Sequence, residues 1–236
     1  MTQKEQVIEA MKKNSGYATF KQLNQLIDFS QWKTHTPEAS VRRIVQVNEE
    51  FVRIKPGLWA LRDYKDDIQK KFELDNKSKN DSFTHYYYQG LIVELGNIRR
   101  RKTIVPNGDR NRMFLEKPLS ELVSEKELPL FTYEKIAKRA ATVDVIWLNE
   151  RNMPCGFFEV EHTTNITNSL DKFYELQDFR ADFWIIADEH RRKSFNAYIE
   201  RSLYSEISEY VKFMSYDDLV KQYEHASFLS NMNTLL

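Results

Sequence analysis

The sequence predicts an α/β chain in two parts: a small helical group closed by a hairpin, then a larger α/β sandwich around a mixed sheet. Three observations predict it. Before residue 50, apolar residues recur at helical spacing in three stretches, and two short apolar runs then flank Lys55-Pro-Gly57. After residue 80 the order is helix, three strands, helix, strand, helix, strand, helix, the pattern of a sheet with helices packed on it. Between them, Asp63 to Ser82 is dense in charge and ends rich in Asn, Lys and Ser. Its first half reads as helix and its second as linker. The expected boundaries are 1–62, 63–84 and 85–236.

Each element has its own signal. Val7, Ile8 and Met11 face one side of a helix over Gln3 to Lys13, which Asn14-Ser-Gly16 ends. Thr19 suits the N-cap of a second helix, Phe20 to Ile27. Thr36 can cap a third, and Pro37 suits its first position; Val41, Ile44 and Val45 carry it to about Asn48. Phe51 to Ile54 and Leu58 to Leu61 are strands around a turn. Three helices and a hairpin are the order of a winged helix. Gln3 to Leu61, with its Phe51-Val-Arg-Ile-Lys-Pro-Gly-Leu-Trp-Ala-Leu61 hairpin, resembles the HARE-type winged-helix family. That resemblance implies DNA contact and links the domain type to sensing modified bases. Residues 1–62 hold ten Lys/Arg against six Asp/Glu, a balance of +4 in a chain whose net charge is zero. Ser40, Arg42 and Arg43 on the third helix are candidate groove contacts, and Lys55 at the hairpin tip a candidate phosphate contact.

In the second part, Tyr88, Leu91, Ile92, Leu95 and Ile98 mark one face of a helix from His85 to about Arg100. Lys102 to Val105 is a strand, ended by Pro106-Asn-Gly108. Residues 116–140 read as a polar, helical insert that includes Tyr133 to Ala140. Thr142 to Trp147 and Gly156 to His162 are buried strands joined by a turn at Arg151-Asn-Met-Pro154. A helix over 168–179, a strand over 181–187, a helix over 191–200, a strand over 210–214 and a helix over 216–223 complete the order.

Composition bounds the function. Apolar residues make up 41% and aromatics 13%, enough for a packed core. The single cysteine, Cys155, allows no disulfide framework within the chain and reads as a core residue. The opening Met1-Thr-Gln-Lys-Glu-Gln is not a signal peptide, and no apolar run spans a bilayer, so a cytoplasmic protein is expected. There is no Gly-rich phosphate loop and no Cys/His cluster of metal-binding spacing.

The chemistry lies in the two buried strands. Glu159 and Glu161 alternate onto one face, and Asp144 on the neighbouring strand can join them. Close carboxylates repel, so a fold that gathers them needs a reason, and a hard divalent cation is the usual one. Phe157, Phe158 and Val160 around them argue against a solvated face.

This element order, with acids at these places, resembles the PD-(D/E)XK nuclease superfamily over roughly His85 to Tyr223. The resemblance implies that Asp144 and Glu159 hold Mg²⁺, for which Mn²⁺ can substitute, and that Glu161 stands where lysine is usual. Glu94 matches an acid that many members place on the preceding helix. Glu161 could take a proton from water or bind a second metal. Lys172 could supply the missing positive charge; Gln177, a neutral amide, is a less directly placed candidate from the same helix. His162 reads as structural or as a substrate contact, since a Mg²⁺ site does not favour imidazole. Arg99, Arg100, Arg101 and Lys102 either cap a helix or grip phosphates, with Arg110 and Arg112 adding to them.

The expectation is a Mg²⁺-dependent restriction-type endonuclease on double-stranded DNA. It would act as a homodimer because a duplex has two strands, alongside a cognate DNA methyltransferase. Two alternatives stand beside it: a DNA-binding regulator that has lost catalysis, and an RNA-directed nuclease stacking bases on Tyr86-Tyr-Tyr88.

Overall fold

The structure is a computed structural model that describes residues 1–129 and 133–233. It forms two compact units, one from residues 1–80 with the end of the last helix from Ser227, the other from 81–226.

The first unit holds α1 (Gln3–Lys13), β1 (Tyr17–Thr19), α2 (Phe20–Leu26), α3 (Pro37–Val47), β2 (Phe51–Lys55), β3 (Leu58–Leu61) and α4 (Lys65–Lys71). Reciprocal capping boxes set the starts of α1 and α2, pairing Thr2 with Glu5 and Thr19 with Gln22. Thr36 precedes α3 but makes no side-chain cap; Pro37 begins that helix instead. The strands form an antiparallel sheet in the order β1-β3-β2. The strand β1 is not signalled in the sequence, because three residues carry no periodicity and it exists only by pairing with β3. Val7, Met11, Leu23, Val41, Val45 and Phe51 are buried in this unit's own core.

The expected linker is helical over its last residues. They open α5 (Lys77–Ile98), where the Asn76 side chain accepts from Lys79 N–H and its carbonyl from Asn80 N–H. An N-cap thus overrides the polar composition.

The second unit adds β4 (Lys102–Ile104), a small hairpin of β5 (Met113–Phe114) and β6 (Lys117–Pro118), α6 (Leu119–Leu122), α7 (Glu134–Ala140), β7 (Val145–Leu148), β8 (Pro154–Glu161), α8 (Ile166–Glu175), β9 (Asp182–Ala187), α9 (Arg192–Ile199), β10 (Val211–Ser215) and α10 (Tyr216–Asn233). Residues 130–132 of the expected insert lie outside the described residues. Five strands make one mixed sheet in the order β10-β9-β8-β7-β4. β8, β9 and β10 run parallel, and β7 and β4 are antiparallel to their neighbours. Phe157, Ile166, Leu170, Phe173 and Ile185 are fully buried between sheet and helices. Cys155 is only half-buried at the start of β8. No helix among the described residues is long and apolar enough to cross a membrane.

Two glycines let α5 lie close over its neighbours. A Cβ on Gly90 would meet Phe114 at 2.3 Å, and one on Gly96 would meet Thr103 and Trp147 at 2.6 Å.

Candidate active site

The centre of the site is the end of β8. Alternation along the strand turns Glu159 and Glu161 to one side, where they are 4% and 3% exposed. Asp144 sits just ahead of β7 rather than inside it. Continuing the β7–β8 register one residue beyond Val145↔Phe158 sets Asp144 opposite Glu159. The Val160 N–H donates to Asp144 Oδ2 at 2.7 Å, which anchors that carboxylate against β8.

α8 closes over these acids. Its amphipathic face buries Ile166, Ser169, Leu170 and Phe173, so Ser169 and Lys172 come down beside β8. Lys172 Nζ lies 2.8 and 2.9 Å from the two oxygens of Glu159 and 2.9 Å from the Thr142 carbonyl. Ser169 Oγ is 3.0 Å from Glu159 Oε2 and also hydrogen-bonds Glu161 Oε1. One hydroxyl proton cannot serve both carboxylates, so Ser169 donates to one of them at a time. Burial pushes Glu159 up to about 8, with the Asp144 charge adding and Lys172 opposing. Burial likewise lifts Asp144 to about 7. Thr164 donates to Glu161 Oε2, and Arg191 Nη1 stands 3.8 Å from that oxygen.

On the other side of Asp144 the structure brings in three residues that the sequence did not single out. His85 Nε2 is 3.7 Å from Asp144 Oδ1, and Gln89 Nε2 donates to the Asp144 carbonyl at 2.8 Å and to Asp109 Oδ2 at 3.0 Å. Donor atoms of His85, Asp109 and Asp144 all lie within 4.8 Å of one another. The only sequence cue was the helical spacing of His85 and Gln89. Asp109 ends a single 3-10 turn, Asn107–Asp109, too short to carry periodicity, so only the fold reveals it.

The other candidates have other surroundings. Glu94 accepts a hydrogen bond from the Tyr223 hydroxyl, and α5 meets Asp144 through Gln89, about 7 Å earlier along the helix axis. Gln177 lies beyond the end of α8, which stops two residues earlier. His162 Nε2 is 3.2 Å from Asp81, and its Nδ1 is 3.4 Å from the Tyr216 hydroxyl. Tyr87 and Tyr88 are core residues, which leaves Tyr86, under the Arg112 guanidinium, as the accessible member of that run.

In the basic run, Arg100 takes a left-handed φ of 57° and Arg101 N–H bonds the Gly96 carbonyl, which closes α5. Arg99 bonds Gln222, and Lys102 pairs with Glu125 and bonds Asn152. In the first unit Arg42 and Arg43 are exposed on α3, Ser40 bonds back to the Thr36 carbonyl, and Lys55 Nζ is 2.6 Å from Asn80 Oδ1.

The family model described as the Type II restriction enzyme NmeDI C-terminal domain matches residues 66–233. The matched span takes in His85, Asp109, Asp144, Glu159, Glu161, Ser169, Lys172 and Arg191. No curated protein and no solved structure gives a significant match. A match over this much of the chain, centred on a five-stranded mixed sheet with buried acids at one strand end, means that the chain belongs to the Type II restriction enzyme NmeDI C-terminal domain family and is a restriction-endonuclease-type protein.

Proposed function

We propose that the chain is a Mg²⁺-dependent endonuclease that hydrolyses phosphodiester bonds in double-stranded DNA. One observation carries the reading: Lys172 reaches both oxygens of Glu159 at a strand end facing Asp144. The superfamily pattern that the sequence resembles has a lysine where Glu161 stands, and here α8 supplies that cation from a different element.

The donor set fits a hard dication. Asp144 and Glu159 offer oxygens, and burial, the main cause of their raised pKa values, makes their ionised forms costly unless a cation compensates them. Asp144 and Glu159 would hold Mg²⁺, and Mn²⁺ could replace it. When bound, that ion would lower the charge on the phosphate and the pKa of a coordinated water. Lys172 fixes the Glu159 carboxylate and can face a phosphate oxygen once that carboxylate turns to other ligands. Glu161 holds Ser169 and Arg191 in place, and any role toward water or a second ion would use the acceptor sites that Thr164 and Ser169 leave open. Glu94 takes an outer position through Tyr223 in this reading.

The α1–α3 group and its hairpin sheet support a winged-helix reading of the first unit. Ser40, Arg42, Arg43 and Lys55 would contact DNA there, with base modification as a feature that this unit could sense. Arg99 to Lys102 would bind phosphates beside the nuclease unit. A homodimer would serve two strands, and a methyltransferase would protect the host's own sites. The engagement of both Glu161 oxygens favours one alternative, a DNA-binding protein that does not cut.

The test is cleavage of methylated and unmethylated plasmid DNA with Mg²⁺ or with EDTA, beside the Glu159→Gln protein. Discrete fragments that require Mg²⁺ and vanish in the variant would establish the activity. Tight binding without cutting of either DNA would establish the regulatory alternative.

A further inference from the structure

We infer that His85, Asp109 and Asp144, with the side-chain carbonyl of Gln89, form a binding site for a divalent transition-metal ion, distinct from the Glu159 side of the site. The inference rests on the nuclease reading only in that the two sites share Asp144.

The argument starts from the His85 ring. Nδ1 lies 3.1 Å from the Val160 carbonyl, an acceptor, so Nδ1 carries the proton in the neutral ring. Nε2 then turns a lone pair toward Asp144 Oδ1 at 3.7 Å, too far for a hydrogen bond. A ring that donates one N–H to a backbone carbonyl and offers its other nitrogen outward is the arrangement of a metal-ligating histidine. Asp109 completes a group of donor atoms within 4.8 Å, close to the span of about 4.2 Å across a shell of ligands at 2.1 Å.

Gln89 is the second and independent observation. It is fully buried, and its Nε2 is held by Asp109 and the Asp144 carbonyl. Its Oε1, on the same amide, is buried without a hydrogen-bond partner among the described residues. Flipping the amide would set that oxygen against a carboxylate and a carbonyl, so the orientation is fixed by its neighbours. A buried amide oxygen left without a donor is destabilising unless something satisfies it, and a cation does so. One imidazole, two carboxylates and an amide oxygen suit Mn²⁺ better than Mg²⁺, which favours an all-oxygen shell. Beyond the helical spacing of His85 and Gln89 the sequence offers no cue, because the other ligands come from the segment after β4 and the residue ahead of β7.

The experiment titrates the metal-free full chain with Mn²⁺ and reads the free-ion paramagnetic resonance signal, with pulsed spectra recorded for nitrogen coupling. Wild-type protein should take up Mn²⁺ and show an imidazole nitrogen coupled to it. His85→Gln should lose that coupling, and both His85→Gln and Asp109→Asn should bind the ion at least tenfold more weakly. Glu159→Gln should keep the nitrogen coupling and the affinity of the nitrogen-coupled ion, and lose at most the uptake that shows no nitrogen coupling. Thermal melts should show variants that fold as wild type does without Mn²⁺ but no longer gain stability from it. No uptake at millimolar Mn²⁺, or uptake indifferent to His85 and Asp109, would overturn the inference and leave an ordinary His–Asp pair. Nitrogen-coupled Mn²⁺ in a protein that cuts no DNA would sink the nuclease reading and spare this one.

Discussion

Lys172 is a lysine on a helix, a type that is usually only solvated, yet here it rests on a buried carboxylate. Replacing it with Met should lower the cleavage rate by about a hundredfold or more, because charge aimed at a reacting phosphate contributes on that scale. DNA affinity should change little; single-turnover kinetics beside equilibrium binding would separate the two, and an equal loss in both would make Lys172 a binding residue. Asp144 and Glu159 also predict how metal-free stability follows pH. Their folded pKa values stand above ordinary carboxyl values, so the native state holds protons that the unfolded chain releases. The stabilisation is complete below about pH 4 and is lost as pH rises through about 7 to 8. The melting temperature in EDTA should therefore fall between pH 6 and pH 8.5, and Mg²⁺ should restore part of it at the higher pH. A rise over the same interval in EDTA would mean that these acids are not buried together.

At the scale of elements, α5 and α8 make the site. The α5 helix delivers His85 and Gln89 because it lies close over the sheet, which Gly96 permits. Ala at that position gains about 1 kcal/mol in helix propensity. It also sets a Cβ 2.6 Å from Trp147, whose indole is tied to the Ile92 carbonyl. Overpacking of this kind costs about 1–3 kcal/mol, so Gly96→Ala should be net destabilising in denaturant unfolding. A more stable variant would show that α5 can lift without loss. The acidic strands were legible as elements, because β7 and β8 are short apolar runs that no helix period fits. The helical end of the charged segment was not, since it depends on one Asn76 cap rather than on composition.

At the scale of the whole molecule, the family match and the basic helix fall on different stretches of chain. The double substitution Arg42→Ala/Arg43→Ala should weaken DNA binding and flatten its salt dependence, by roughly one unit of slope for each phosphate that the protein no longer neutralises. Cleavage chemistry at saturating DNA should be unchanged. Binding and salt slope both equal to wild type would make the first unit an interaction module of another kind.

The sequence by itself determined the class of the protein. Hydrophobic periodicity, caps and turn residues are local, and they were enough to mark the α/β order, the hairpin after three helices and the acids on β8. The sequence also proposed Asp144 and Lys172 as neighbours of Glu159; tertiary structure decided the contacts they make and which further groups join them. Pairing of β7 with β8 set Asp144 opposite Glu159, packing of α8 brought Lys172 onto it, and the approach of α5 added His85 and Gln89. The reason is physical: a side chain's neighbours across a sheet or beneath a helix are fixed by register and packing distance, and neither is written in the spacing of residues along the chain.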